Sequence, residues 1–161
     1  MACSYLLLGS NQGDREYFLT EATQGISLLA GEVIKKSAVY ETAAWGLEDQ
    51  AAFLNQVVQI STPLLPADLL TQINKIEKEL GRVREVKWAA RVIDIDILYY
   101  NDLILQTENL VIPHPHLHER RFTIVPLAEL TPDFVHPVLQ QTNKDLLATC
   151  KDRLEVRVFK K

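Results

Sequence analysis

Two apolar, β-prone stretches, residues 33–40 and 53–60, follow one another with no helical pattern between them, although one amphipathic helix precedes the first and another follows the second. That spacing constrains the fold more than any other feature. Residues 3–8 form a short apolar run ending in Gly9-Ser10-Asn11-Gln12-Gly13, a strand followed by a turn. Residues 14–30 then place Phe18, Ala22, Ile26 and Leu29 at helical spacing, with Asp14 as N-cap and Gly31 beyond the end. A second helix over 66–80 carries Leu69, Ile73, Ile76 and Leu80 and stops at Gly81, and 92–100 has the strongest strand character. The order strand, helix, strand, strand, helix, strand is a split βαβ pattern. It predicts a ferredoxin-like α+β sandwich, an antiparallel sheet with helices on its faces. A doubly wound parallel sheet needs a helix between 33–40 and 53–60, and none is encoded.

The pattern weakens beyond Asn101. Residues 103–105 are expected to pair back onto 92–100 through Asn101-Asp102, 122–129 and 142–148 to form short helices, and 155–159 to form a terminal strand. Residues 41–51 and 81–90 lack a period and read as loops. With 161 residues, one domain spanning 1–161 is expected. The chain is 47% hydrophobic and 24% charged, which excludes disordered and collagen-like classes. No apolar run approaches the ~20 residues of a membrane span, and residues 1–8 lack the basic start of a secretory signal. Cys3 and Cys150 lie outside any CxxC, so reduced thiols in the cytoplasm are the expectation. A net charge of −4 argues against nucleic acid as a partner.

The chemistry concentrates in Arg91-Val92-Ile93-Asp94-Ile95-Asp96-Ile97-Leu98. Side chains alternate along a strand, so Asp94 and Asp96 share one face and Ile93, Ile95 and Ile97 the other. Same-face neighbours lie about 6–7 Å apart, where two carboxylates repel unless a cation joins them. Mg²⁺ suits such a pair, since it takes one or two carboxylates and completes its shell with water and phosphate. A solvated strand face presents the same pattern. The apolar flanks Val92, Leu98, Tyr99 and Tyr100 instead predict a buried central strand, where unpaired acids are costly.

Just upstream, Arg82, Arg84, Lys87 and Arg91 face a single acid, Glu85. Guanidinium groups suit phosphate oxygens, and cations opposite an acid-held metal are a phosphoryl-transfer arrangement. A charge run at a helix end is equally an ordinary solvated loop. No Walker A sequence, G-x-G-x-x-G fingerprint or protein-kinase motif is present, so a nucleotide site here is built from side chains and metal. In Pro113-His114-Pro115-His116-Leu117-His118 three alternating histidines offer a zinc site, a phosphate contact beside Arg120, or a plain surface turn. Phe53 and Asn55 share a strand face; a ring beside an amide suits a flat heteroaromatic ligand, while core packing and strand capping explain the same pair.

Taken together, the motifs Leu8-Gly9-Ser10-Asn11, Val39-Tyr40-Glu41-Thr42, Phe53-Leu54-Asn55, Ile76-Glu77, Gly81-Arg82-Val83-Arg84, Arg91 to Ile97, Val111 to His116 and Arg120 to Leu127 resemble, over nearly the full length, the 6-hydroxymethyl-7,8-dihydropterin pyrophosphokinases of folate synthesis. The resemblance implies transfer of the terminal diphosphate of ATP to the pterin hydroxymethyl oxygen, releasing AMP. It implies that Asp94 and Asp96 hold two Mg²⁺ and that Arg82 and Arg91 are catalytic. Glu77, Arg84, Trp88, Ile97, His114 and Arg120 would contact ATP, with Trp88 on a loop that closes over the site. Thr42, Ala43, Trp45, Gly46, Phe53, Asn55 and Phe122 would bind the pterin, stacked between the two phenylalanines. The implied partners are two small molecules, with neither nucleic acid nor membrane, and the expected form is a monomer. The chain departs from the family pattern at Ala89-Ala90, where Gly-Pro is usual, at Trp45, where an aliphatic residue is common, and at Pro115, where an aromatic is frequent. Phe53 stands where tyrosine is often found. A nucleotidyl transferase or cyclase on the same fold and a zinc-binding interaction module built on His114, His116 and His118 are the competing readings.

Overall fold

The computed structural model describes residues 1–42, 52–81 and 92–160. Strand β1 (Ala2–Ser10) lies between β4 (Phe53–Thr62) and β5 (Asp94–Tyr100). On its other side β4 pairs with both β2 (Glu32–Lys36) and β3 (Tyr40–Thr42), and β3 is flanked by β8 (Val156–Val158). Every pairing is antiparallel. Strand β4 is therefore inserted between β1 and the β2–β3 strand pair, the split βαβ topology expected. A separate two-stranded ladder joins β6 (Leu105–Gln106) to β7 (Val111–Ile112).

Helices α1 (Arg15–Leu29) and α2 (Pro66–Glu79) cover one face. The Asp14 carboxylate caps α1 by accepting the Tyr17 amide at 3.1 Å. Pro66 opens α2 at a position where its missing N–H has no helical partner to lose. Leu19, Ala22 and Ile26 of α1 and Leu69, Ile73 and Ile76 of α2 meet Leu6, Leu8, Leu54, Val58, Ile60, Ile95 and Ile97 of the sheet in one aliphatic core. Each fully buried Leu or Ile there contributes about 1.5–3 kcal/mol. Gly31 is needed for close approach, since a Cβ there would lie 2.4 Å from the Ser61 carbonyl oxygen. Gly81, at φ +95°, takes the left-handed turn past α2 that other residues resist.

The opposite face carries a second core, covered by α3 (Arg121–Leu130) and α4 (Asn143–Thr149). Tyr5, Leu7, Val57, Leu98 and Tyr99 pack there against Ile124, Leu127 and Leu146. Between the Tyr5–Tyr99 and Leu6–Ile97 pairs the register slips by one residue, which lets Leu98 and Tyr99 both enter this core.

Three expectations are corrected. The single strand over 33–40 is two strands. Ser37 gives its amide to the Val57 carbonyl (2.9 Å), its hydroxyl accepts the Val57 amide (3.0 Å) and its carbonyl accepts the Gln56 side chain (2.8 Å). The Glu129 carboxylate takes the Ala38 amide at 3.1 Å, so side chains replace the ladder until Tyr40. Residues 103–105 do not return to β5: Asn101, at φ +49°, stays bonded to Cys3 and turns the chain away, and Leu105 pairs with Ile112. Strand β5 is an edge strand rather than a central one, pairing only with β1 among the described residues. Its apolar flanks reflect cover on both faces, and its outer backbone groups are met by other partners.

Candidate active site

Those partners build one wall of the site. The Glu77 carboxylate, 3% exposed, accepts the Ile95 amide at 2.8 Å, and the Leu98 carbonyl accepts the His114 amide at 3.0 Å. Glu77 thus ties α2 to the strand that carries the acid pair. Along that edge runs a cleft of about 920 Å³ lined by Asp94, Asp96 and Glu77 together with apolar Leu70, Leu103 and Leu110. Asp94 and Asp96 alternate with Ile95 and Ile97, which are buried in the first core, so the two acids share a face as expected. Ile97 is 4% exposed and packs in that core rather than among the residues lining the cleft. No cluster of three or more His, Cys, Asp or Glu is assembled as a metal site among the described residues, and the pair Asp94 and Asp96 is a donor set that fits Mg²⁺, which takes one or two carboxylates and fills its shell with water and phosphate.

Strand register places the second part of the site. Asp94 pairs with Gly9, Gly9 with Asn55, and Asn55 with Tyr40, a row crossing β5, β1, β4 and β3. Cross-strand partners share a face, and two strand spacings set Asp94 and Asn55 about 10 Å apart. The Asn55 amide lies over Gly9 and needs its missing side chain, for a Cβ there would lie 2.7 Å from Asn55 Nδ2. One step further along, Thr42 pairs with Phe53 on the same face. The Asn55 amide donates to the Leu8 carbonyl at 3.4 Å, while Asn55 Oδ1 and Thr42 Oγ1 are buried with no hydrogen-bond partner among the described residues. Buried polar atoms are nearly always satisfied, so two unsatisfied acceptors on one sheet face are a candidate point of ligand contact; Ser10 Oγ and His118 Nδ1 are the other such atoms among the described residues. Phe122, at the start of α3, packs against the second core on this side of the sheet, with the Arg120 guanidinium 5.8 Å from its ring centre.

His114 completes the described part. Its Nδ1 accepts the His116 amide at 3.1 Å, so the neutral ring carries its proton on Nε2. Burial, with the charges of Arg120 and His116, pushes its pKa down to about 4 despite the opposing pull of Asp94. His114 is therefore a neutral N–H donor near pH 7. The zinc alternative is not assembled: His116 Nδ1 binds Glu119 at 2.9 Å, and the His118 ring turns to His136 at 6.2 Å.

The structure thus brings Thr42, Phe53, Asn55, Asp94 and Asp96 onto one face, sets Glu77 along the cleft, and places His114 and Arg120 within electrostatic reach of one another. Ala43, Trp45, Gly46, Arg82, Arg84, Trp88 and Arg91 lie outside the described residues, as do most of both expected loops. The sequence reading overlooked Gly9 as a site residue, although a glycine closing a strand directly before a polar turn is a signal of close approach.

The family model described as 7,8-dihydro-6-hydroxymethylpterin-pyrophosphokinase matches residues 5–132. The chain belongs to this pyrophosphokinase family. It is 46% identical over 145 residues to the 2-amino-4-hydroxy-6-hydroxymethyldihydropteridine pyrophosphokinase of Aquifex aeolicus, covering 90% of each chain. It is 45% identical to the pyrophosphokinase of that name from Bacillus subtilis, covering 98% of this chain and 90% of the relative. Among solved structures, a Plasmodium falciparum HPPK-DHPS with pteroate superposes with a TM-score of 0.75 at 18% identity, over 91% of this chain. This chain spans 42% of that larger one, and the likeness supports the fold alone. No helix among the described residues is long and apolar enough to cross a membrane.

Proposed function

We propose that this pyrophosphokinase-family protein transfers the terminal diphosphate of ATP to the hydroxymethyl oxygen of 6-hydroxymethyl-7,8-dihydropterin, giving AMP and the dihydropterin diphosphate for folate synthesis. The acceptor oxygen bonds to the β-phosphorus, the bond from that phosphorus to the α,β-bridging oxygen breaks, AMP leaves with the bridging oxygen, and the hydroxyl proton is released. What supports this reading most directly is the row from Asp94 through Gly9 to Asn55, which sets an acid pair for phosphate-bound metal and a heterocycle-reading amide on one face, with the amide seated over the glycine.

Asp94 and Asp96 would hold Mg²⁺, two ions when ATP is bound, and the metal neutralises charge on the phosphate oxygens. Glu77 holds the backbone of β5, and so the acid pair, in place. His114 offers its Nε2–H, and Arg120 its guanidinium, to nucleotide phosphates. Asn55 Oδ1 and Thr42 Oγ1 accept the N–H donors that edge a pterin, and the rings of Phe53 and Phe122 stack on its faces. Ala43, Trp45 and Gly46 belong to the same acceptor set by family pattern; Arg82 and Arg91 would stabilise the transferring group, with Arg84 and Trp88 on the nucleotide. Positioning and charge neutralisation suffice for such a transfer. The working form is a cytoplasmic monomer of one domain.

Incubation with ATP, Mg²⁺ and the reduced pterin alcohol, with phosphorus NMR of the products, tests the reading. AMP and a diphosphorylated pterin in equal amounts are expected. Release of pyrophosphate or ADP would replace it with nucleotidyl or simple phosphoryl transfer.

A further inference from the structure

Behind the acceptor corner, on the face covered by α1, a guanidinium joins two segments that sequence keeps apart. Arg15 NH1 donates to Glu41 Oε2 at 3.1 Å and to the Ala52 carbonyl at 2.7 Å. Glu41 precedes Thr42 and Ala52 precedes Phe53, the last pair of the β3–β4 ladder. Side chains alternate along β3, so Glu41 points away from the face that Thr42 presents. Arg15 thus fastens both chain segments from the rear and leaves the acceptor face free. It is itself held: its guanidinium lies 5.6 Å from the Phe159 ring centre, and the Phe159 amide bonds the Val39 carbonyl at 2.8 Å. Arg157 of β8 takes the second Glu41 oxygen at 3.2 Å. Burial would raise the Glu41 pKa, but the hydrogen bonds from Arg157 and Arg15 outweigh it and hold the carboxyl below its ordinary value. The Arg15 and Glu41 side chains are 25% and 19% exposed, so the pair is shielded more than an ordinary surface ion pair.

We propose that Arg15 is a positioning residue for the pterin: by binding Glu41 and Ala52 together it fixes the separation of Thr42 and Phe53, and with it the fit of the acceptor ring. This rests on the pyrophosphokinase reading above and deepens it.

The test is steady-state AMP formation by Arg15→Met, Arg15→Lys and Glu41→Gln beside the parent protein, varying the pterin at saturating ATP and ATP at saturating pterin, with thermal melting of each. Arg15→Met keeps the aliphatic stem but loses the donors. The pterin KM is expected to rise about tenfold, the effect of one lost charge-assisted hydrogen bond. The ATP KM should stay unchanged, and Arg15→Lys should recover most of the loss. A lower melting temperature with an unmoved pterin KM, or equal rises in both KM values, would overturn the proposal. If Arg15→Met does not fold, Glu41→Gln carries the test: a selective rise in pterin KM supports the proposal and its absence overturns it. Parent turnover separates the two readings. No AMP-forming transfer by the parent removes both, whereas transfer that Arg15→Met and Glu41→Gln leave untouched removes only the role of Arg15.

Discussion

The two faces of the sheet are built from different materials. The buried hydrophobic residues of the face under α1 and α2 are all aliphatic, Leu, Ile, Val and Ala at near-zero exposure, with Phe18, Tyr100 and Phe159 at its margin. The face under α3 and α4 is aromatic and polar. Tyr5, Tyr99 and Phe134 cluster there, with the Tyr99 and Phe134 ring centres 4.5 Å apart. The Tyr99 hydroxyl donates to Asn143 Oδ1 at 2.7 Å, and the Asn143 amide donates to the Thr131 carbonyl at 2.8 Å. Polar groups that hold this face together are paired. Among the described residues Asn55 Oδ1 and Thr42 Oγ1 are buried without a partner at the end of this face nearest the acid pair, as are Ser10 Oγ and His118 Nδ1 elsewhere. One face is packed almost wholly from aliphatic side chains, and the other combines packing with polar groups, two of them unmet beside the acid pair.

The largest expected effect tests that division directly. Asp94→Ala or Asp96→Ala should lower Mg²⁺-dependent turnover about a thousandfold, the scale of losing a principal electrostatic stabiliser, while urea unfolding stays close to the parent. Full activity in either variant removes the metal role. Ile73→Ala on the aliphatic face should do the opposite. The residue is fully buried, so the cavity should cost about 2–5 kcal/mol of stability with both KM values unmoved. An Ile73→Ala protein with a raised pterin KM would mean that the two faces are coupled, not divided.

Periodicity made most of this legible. The stripe of α2 and the alternation of Asp94 and Asp96 are local patterns, and both stand as read. What local pattern misses is a partner supplied from elsewhere. The break at Ser37 depends on its hydroxyl and on Glu129, 91 residues from Ala38, neither of which changes the hydrophobic pattern of 33–40. The edge position of β5 was hidden because Glu77 and the His114 turn cover its outer side, leaving it as apolar as a central strand. Gly9 matters only because Asn55 lies across from it. Arg15 reaches partners 26 and 37 residues away, yet it left one local trace. A basic residue at the first position of a helix opposes the helix dipole, and such a broken rule often marks a residue with another task.

A smaller effect sharpens the role of the unpaired acceptors. Asn55→Ala should raise the pterin KM by roughly tenfold to a hundredfold, as expected when a site built to bind a polar edge loses its acceptor. Stability should change little, because the Asn55–Leu8 bond is long at 3.4 Å. Gly9→Ala tests the same corner sterically. Its backbone is outside the left-handed region, so a methyl group is tolerated by the chain but presses on Asn55 Nδ2. About a tenfold rise in pterin KM is expected, smaller than for Asn55→Ala, because the amide is displaced and not removed. Equal affinity in the Gly9→Ala protein, measured by pterin fluorescence titration, would show that the Asn55 amide can shift without losing its role as acceptor.

The smallest effect concerns acid. Burial lowers His136 to about 4, with His118 adding to the shift, and its Nδ1 accepts the amides of Val138 (3.2 Å) and Leu139 (3.0 Å). Below its ordinary pKa of 6.5 the unfolded chain takes up a proton that the folded chain refuses until about pH 4. Stability from this group is therefore complete above pH 6.5 and is lost as pH falls through that window. Replacing His136 with Asn keeps an acceptor oxygen for the two amides and removes the titration. Urea midpoints followed from pH 7 to pH 4 should then decline less steeply than in the parent, by about 1–2 kcal/mol across the window. His114, lowered to about 4 on the same side of the sheet, leaves a residual slope in that variant. An unchanged decline would move the acid sensitivity away from His136, and the second face would then owe its pH response to the site end alone.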